Sequence, residues 1–534
     1  MGRKWRWTLL VTAAVIAVGL VTTLAVNGLP GTGSSRTSSD NTQSEPSEAG
    51  STPPPAGPER TGPEPRTVPA VRDWKAQRGT GWKPQPGARV VTDRKGPLAD
   101  EADLLAEELK LDTAGGKPRA GDVELRLTPE AKTGAEGYRL RTADGRVRIT
   151  GAKQAGVFYG TRTLLQAVRN QELIADGEVR DRPDRPQRGF LLDIARKNYS
   201  ADWIESRIKE MGDLKLNQLQ LHFSDDQAYR IASDSHPEIV SDPHLTKKQV
   251  RHLVDVAASR HIEVVPELDS PGHLGTVLDE HPDLAVRSAS GEVARGAIDI
   301  GKPKAGKLVD DLLREIDDLF PAKQWHLGGD EYPPLLSDDP ESSYPGLASV
   351  ARDRYGDDAK IQDLATAWIN HRADTVRKLK RMPQVWNDGM HAGGVVKPNR
   401  PRTVNYWTGK EMGAREPADY FEEKWNVVNL NDEYLYYVLG EPNDFTYPTG
   451  ERIYREWTPA VVRHDKAVPD RWAGRDRILG ARFAVWGDIS DAQTTEQVAN
   501  GIRLPLAATA QKVWDPREPR LSWKEFSEAV PEQQ

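Results

Sequence analysis

The sequence predicts an α/β chain: a (β/α)8 (TIM) barrel preceded by a small α+β domain. Three observations carry this reading. From Arg188 onward, short apolar runs of strand type recur eight times with longer helical stretches between them, the alternation that a parallel barrel needs. Polar and aromatic residues crowd the C-terminal ends of these runs, and in a barrel those ends converge on one face. Ahead of them lies a shorter region with a different element order, closed by the proline-punctuated "DRPDRPQ" (Asp181 to Gln187). A doubly wound open sheet is the competing architecture, but no Gly-rich phosphate fingerprint follows the first strand.

In chain order, "MGRKWRW" is a positive segment followed by the uncharged apolar run "TLLVTAAVIAVGLVTTLAV" (Thr8 to Val26). Residues 1–28 therefore read as a signal peptide or an uncleaved signal anchor, with Arg3, Lys4 and Arg6 holding the N-terminus inside. The expected location is extracytoplasmic, either secreted or tethered to the outer face of the cell membrane, where the N-terminal segment would engage the bilayer. Residues 29–69 are Ser/Thr/Pro/Gly-rich and read as a disordered linker. Residues 70–183 form the small α+β domain. In it "RVVTD" is a strand, Leu98, Ala102, Leu105 and Leu109 recur at helical spacing, and "VELRLTP" is a second strand. "GYRLRTADGRVRITG" is a hairpin about Asp144-Gly145, and "KQAGVFYGTRTLLQAV" is a second helix.

Residues 184–534 are the barrel. Its eight runs are "RGFLLDIAR", "NQLQLHFSDD", "HIEVVPELDSPGH", "QWHLGGDE", "MPQVWNDG", "RTVNYW", "WNVVNLND" and "ILGARFAVWGD", with helices such as "DWIESRIKEMGDLK" and "KLVDDLLREIDDLF" between them.

Composition narrows the function. A formal charge of −7 on 534 residues, with no Lys/Arg cluster along the sequence, argues against nucleic acid as the partner. The absence of cysteine excludes disulfides, thiolate chemistry and cysteine-ligated metals. Fifteen Trp against eight Phe suits flat apolar faces that stack on a ligand. No interface stripe stands out, so oligomeric state is left open.

The strand ends carry Arg196, Asp225-Asp226, Glu267, Asp269, His273, Asp330-Glu331, Trp386-Asn387-Asp388, Trp407, Asn431-Asp432 and Trp486-Asp488. Any one of these acids could be a helix cap or a turn former. Aromatics with carboxylates and no positive cluster suit a carbohydrate, whose C–H faces stack on indoles and whose hydroxyls bond to acids and arginine. Asp330 and Glu331 stand side by side behind Gly328-Gly329. Neighbouring side chains on a regular strand point to opposite faces, and the glycines would let the backbone turn both acids into one cavity. Carboxylates so placed are coupled, and one tends to stay protonated, as a general acid must. Their similar reach does not suit nucleophile and acid on opposite sides of a sugar. A helix-capping role is the plain alternative, and Pro333-Pro334 disfavours it.

At "LDIAR", "HFSDDQ", "ELDSPGH" and the His-x-Gly-Gly-Asp-Glu stretch His326 to Glu331, the sequence resembles the family 20 glycoside hydrolases, the β-N-acetylhexosaminidases. The resemblance covers nearly all of the folded chain. It implies an exo-acting, retaining enzyme that removes terminal N-acetylglucosamine or N-acetylgalactosamine without a cofactor or metal. The substrate's own 2-acetamido group would attack the anomeric carbon, giving an oxazolinium intermediate. Glu331 would be the acid and then the base, and Asp330 would hold the acetamido N–H. Arg196 would bind hydroxyls of the sugar, Asp225 would orient Asp330, and His273 would belong to the same support. Trp386, Trp407 and Trp486 would wall the pocket, Tyr434 would bond the acetamide oxygen, and His326 would lie behind the pocket. Asp488 stands where the family usually has a sugar-binding Glu. Where many members have Tyr-Leu-Asp, this chain has Tyr434-Leu435-Tyr436. Both departures touch recognition at C4 and C6, leaving the gluco/galacto preference open and allowing release of a disaccharide such as lacto-N-biose, as a lacto-N-biosidase would. The remaining rivals are a metal-dependent hydrolase using His222, Asp225, His326 and Asp330, and a non-catalytic surface module that binds amino sugars.

Overall fold

The computed structural model describes residues 60–130, 132–410 and 414–531. The expected signal or anchor (1–28) and most of the expected linker lie outside the described residues. Among the described residues no helix is long and apolar enough to cross a membrane.

The end of the expected linker is packed rather than solvated. Val68 is fully buried in the core of the barrel domain, with its backbone N–H donating to Gln166 Oε1 and its carbonyl accepting from Gln166 Nε2. Composition misled here because this short, proline-rich stretch is held by side chains remote in sequence.

The small domain is one seven-stranded sheet carrying two helices. Its strands are β1 (Asp73–Ala76), β2 (Arg89–Val91), β3 (Asp112–Ala114), β4 (Val123–Leu127), β5 (Tyr138–Ala143), β6 (Arg146–Gly151) and β7 (Gly177–Asp181), in spatial order β1-β7-β5-β6-β4-β2-β3. Helices α1 (Ala99–Leu109) and α2 (Gln154–Gln171) share one hydrophobic core with the sheet. The hairpin expected at Asp144-Gly145 joins β5 to β6, with Ala143 opposite Arg146; both turn residues take positive φ (52° and 64°), as the tight hairpin turn requires.

Eight parallel strands then close into a barrel: β8 (Gln187–Asp193), β9 (Gln218–His222), β10 (Glu263–Glu267), β11 (Gln324–His326), β12 (Met382–Trp386), β13 (Thr403–Tyr406), β14 (Asn426–Asn429) and, last, Ile478–Trp486. The last strand pairs with β8 to complete the ring. A short ninth strand, β15 (Tyr436–Val438), pairs with the upper end of that last strand, here β16 (Ile478–Trp486). β14 pairs only with its lower part, from Ile478 to Ala481, so the barrel admits an extra strand at its C-terminal rim.

The interior shows how alternation is used. In "QLQLH", Leu219 and Leu221 join the apolar layer facing the helices, while Gln218, Gln220 and His222 join a buried polar column. Arg482 donates to Gln220 Oε1 at 2.5 Å and to Gln218 Oε1 at 3.0 Å, and Gln220 Nε2 donates to Glu267 at 2.7 Å. Burial pushes Arg482 down to about 10, only partly offset by the charges of Glu263 and Glu267.

The two domains are knitted together. Arg188 at the start of β8 is fully buried and grips Glu136 of the small domain through two nitrogens, at 2.7 and 3.1 Å. Helix α3 (Thr495–Trp514), which follows β16, ends in a tryptophan that belongs to the small domain's core, and its Nε1 donates to Asp181 at 2.9 Å.

Candidate active site

The C-terminal rim of the barrel holds a pocket of about 160 Å³ lined by Arg196, His273, Asp330, Glu331, Trp386, Trp407, Tyr436, Val438, Asn443, Phe445, Trp486 and Asp488. That volume lies below the range of about 300–1,000 Å³ usual for drug-sized ligands and suits a single sugar ring.

The loop after β11 explains the paired acids. Gly328 and Gly329 take φ of 66° and 104°, and Glu331 itself takes 45°, so the chain leaves the strand path before the acids begin. No side chain would fit at Gly328, because a Cβ there would lie 1.5 Å from Asp269 Oδ1. Asp269 in turn accepts the Gly329 N–H at 3.0 Å, and Asp388 accepts the Glu331 N–H at 3.1 Å. The two acids then sit unequally, with the Asp330 side chain 13% exposed and that of Glu331 40%.

Beneath them is a cluster of alternating charge. His273 Nε2 lies 3.6 Å from Asp330 Oδ2 and 3.6 Å from Glu331 Oε2, and its Nδ1 lies 3.3 Å from Asp225 Oδ1. Burial opposes a charge on His273, but the carboxylates of Asp225 and Asp330 override it and hold the ring well above the usual histidine range. Burial also opposes charge on Asp225, and there His273 and Arg196 win, so the carboxyl stays ionised. Asp225 receives Arg196 at 2.7 Å and His222 at 2.8 Å. Asp269 goes the other way: burial and the charge of the neighbouring Asp330 hold its carboxyl well above the usual aspartate range. Asp388 is pushed up to about 7 by burial and by Asp330.

The walls are aromatic. Trp407 stacks on Tyr436 at a centroid distance of 5.7 Å and an angle of 7°, and Trp407 Nε1 donates to Asp388 at 3.0 Å. Trp386 is anchored through Nε1 to Glu267 at 2.9 Å and lies 6.0 Å from Trp486. Arg196 lies over the Trp486 ring at 5.4 Å. Burial raises Asp488, and Arg196 partly offsets the rise.

Most of the sequence-derived residues therefore meet, with three corrections. Tyr434 does not reach the pocket. Asp432–Leu435 is a short helix that turns Tyr434 beneath Arg452, 4.1 Å from its ring. β15 then presents Tyr436 and Val438, two apart, to the pocket, while Tyr437 between them bonds Gln493 at 3.0 Å. The tyrosine of this segment that reaches the pocket is thus Tyr436, not Tyr434. Asp225 does not touch Asp330 directly; it acts through His273, and Asp269 is the direct neighbour. Finally, His222 and His326 flank Glu267 at 3.2 and 3.0 Å, so the four candidate metal ligands do not converge. Among the described residues three donor sets approach one another: His236, Glu238 and His281, away from the pocket; and His222, Glu267 and Asp269, and Asp269, His273 and Asp330, both of which are tied into the charge cluster described above. Asp269 and Asp388, which the sequence places among the strand-end residues without a role, thus prove to be direct neighbours of the paired acids.

Comparison with known proteins agrees with this geometry. The model of the glycosyl hydrolase family 20 catalytic domain matches residues 186–517, and that of the family's domain 2 matches residues 64–182. A β-N-acetylhexosaminidase from Cellulomonas fimi is 30% identical over 465 residues, 78% of this chain and 81% of that protein. A lacto-N-biosidase from Bifidobacterium bifidum is 29% identical over 473 residues, 86% of this chain and 41% of that protein. With 58% for a β-hexosaminidase of Porphyromonas gingivalis, the chain spans about half the length of these last two relatives. The solved structure of a β-N-acetylhexosaminidase from Streptomyces coelicolor A3(2) superposes with a TM-score of 0.71 at 25% identity, covering 88% of this chain and 96% of that one. With its catalytic domain and its domain 2 both matched, the chain belongs to glycosyl hydrolase family 20.

Proposed function

We propose that the protein is an exo-acting, retaining β-N-acetylhexosaminidase working through its substrate's acetamido group. The observation that carries this is the unequal pair. Asp330 is sunk between His273 and Asp269, placed to hold a group of the substrate, whereas Glu331 stands more open beside it, placed to exchange protons with a leaving group and water. Two acids on one loop cannot themselves flank a sugar from opposite sides as acid and nucleophile, which suits a nucleophile brought by the sugar itself. In this reading Glu331 protonates the glycosidic oxygen as the acetamide oxygen attacks C1. The resulting oxazolinium is steadied by Asp330 on nitrogen and by Tyr436, rather than Tyr434, on oxygen. Glu331 then takes a proton from the incoming water.

A second reading concerns the product. Tyr436 stands where an acid was expected, and Val438, Asn443 and Phe445 line the pocket with it, which favours room for a substituent on the sugar and release of a disaccharide. The test is hydrolysis of nitrophenyl β-glycosides of N-acetylglucosamine, N-acetylgalactosamine, lacto-N-biose and glucose, with and without a thiazoline analogue of the intermediate. Cleavage of acetamido substrates alone, blocked by the thiazoline, is expected; cleavage of the glucoside at comparable rate would overturn the mechanism. The positive N-terminus and apolar run further support an extracytoplasmic location, which fractionation of cells expressing the full chain would check.

A further inference from the structure

The seven-stranded sheet of the small domain is covered on one face only. Val123, Leu125, Leu140, Val147, Ile149 and Val179 pack with α1 and α2. Their strand neighbours point outward, where Arg126, Arg139, Arg148 and Arg180 are each about half exposed. These arginines line a cleft of about 970 Å³ that also takes in Arg141, Arg72, Arg182, Arg517 and Lys132, nine cations against four lining carboxylates; of the nine, Arg517 and Arg72 are already paired with Asp515 beyond the lining, at 2.6 and 3.7 Å. One of the four, Asp181, is buried and already held by Tyr138 and Lys215. The whole chain carries −7, so this face is opposite in sign to the molecule that bears it.

The strand register makes the face costly. Arg141 lies directly opposite Arg148, and Arg139 directly opposite Arg180, and like charges so placed destabilise a sheet. Glu124 and Glu178 serve two arginines each: Arg148 at 2.6 Å and Arg126 at 3.7 Å, Arg180 at 2.5 Å and Arg139 at 3.7 Å. Arg141 makes no ion pair within 4 Å among the described residues, although Glu178, already shared by Arg139 and Arg180, lies directly opposite it on β7. An ordinary solvated strand surface needs no such facing pairs.

We propose that this face binds an anionic polysaccharide containing N-acetylhexosamine, holding the polymer on the small domain while the barrel trims its ends. A flat array of separate guanidinium groups suits a ligand whose charge repeats along a chain, since each planar fork takes a carboxylate, sulfate or phosphate through two bonds. The one aromatic in the cleft, Tyr138, is fully buried, so the face offers no platform on which nucleic-acid bases could stack. The sugar component of the proposal rests on the hydrolase reading above; the charge component does not.

The test is calorimetric binding of the full chain to chondroitin sulfate, which carries acetamido sugars and anions, beside neutral chitin oligosaccharide and duplex DNA. Binding to chondroitin sulfate that weakens as salt is raised, with none to the neutral oligosaccharide, is expected. In Arg139→Ser/Arg141→Ser, affinity should fall at least about tenfold with a shallower salt dependence, whereas Arg139→Lys/Arg141→Lys should keep most of it. The melting temperature of the serine variant should stay level or rise, because the facing charges are relieved, and its nitrophenyl glycoside hydrolysis should be unchanged. Undiminished binding in the serine variant, loss accompanied by a lower melting temperature, or tighter binding to DNA would each overturn the proposal. Because binding is read without turnover, an inactive barrel would leave this result standing, and the converse holds equally.

Discussion

At the scale of single residues, the side chains around the acids set how pH should act. Asp388 accepts from Trp407 and from the Glu331 backbone, and burial with the charge of Asp330 pushes it up to about 7 from an ordinary 3.8. The folded protein therefore holds this proton more tightly than the unfolded chain does. The associated stabilisation is complete below pH 3.8 and is lost as pH rises through about 7. We expect kcat/KM to show an alkaline limb near that value, and Asp388→Asn, which mimics the protonated form, to remove it; a profile unchanged in the variant would assign the limb to another group. Glu331→Gln should lower kcat/KM for substrates with poor leaving groups on the order of 10²–10⁴-fold while leaving binding of the product sugar intact, as calorimetry would show. Asp330→Asn should slow N-acetylated substrates on the order of 10²-fold. Near-normal rates in either variant would remove that residue from its role. Asp330 and Glu331 were legible in the sequence because two adjacent acids behind two glycines have few structural uses. The roles of Asp269 and Asp388 were not, since an aspartate after a strand reads equally well as a cap. Tyr434 was chosen over Tyr436 because the helical turn between them leaves no mark in a run of tyrosines.

At the scale of elements, the turn after β11 is the part on which the rest depends. Gly328→Ala would meet both a positive φ of 66° and a Cβ 1.5 Å from Asp269, so either the loop or Asp269 must move. Displacing the acids by even about 1 Å should cost activity on the order of 10²-fold, with little change in the far-ultraviolet circular dichroism of the barrel; full activity in this variant would mean that the loop relaxes without cost. The barrel strands were readable because each is a short apolar run ending in polar residues, and all eight quoted runs contain one. The edge strands β1 and β3 escaped notice because four and three residues give too little alternation to register, and the interior strand β7 because it runs directly into the proline-punctuated stretch read as a domain boundary. β15 escaped because "YYV" pairs with β16 only through long-range closure of the rim, which local pattern does not encode.

At the scale of the whole molecule, Arg188 and Glu136 bind the two domains through a partly buried pair. Arg188→Met leaves the partly exposed Glu136 carboxylate with only Asn217 and Tyr159 as partners and should lower stability in urea unfolding by less than the roughly 3–5 kcal/mol lost when a fully buried pair is broken; Arg188→Met/Glu136→Gln should recover part of that loss, and equal losses in the two would show that the charge left behind is not what matters. Burial works against ionised Glu136, but Arg188 overrides it and lowers its carboxyl below the ordinary 4.5. The contribution of the pair is thus present above that value and lost as pH falls through the folded one. Trp514 has a different kind of consequence. It completes the small domain's core and bonds Asp181, 333 positions earlier in the chain. During synthesis the small domain emerges first, yet its interior lacks that indole until nearly the whole barrel has followed. The order of birth and the order of completion are reversed: the lobe made first is finished last, and the two lobes should reach stability in a single step.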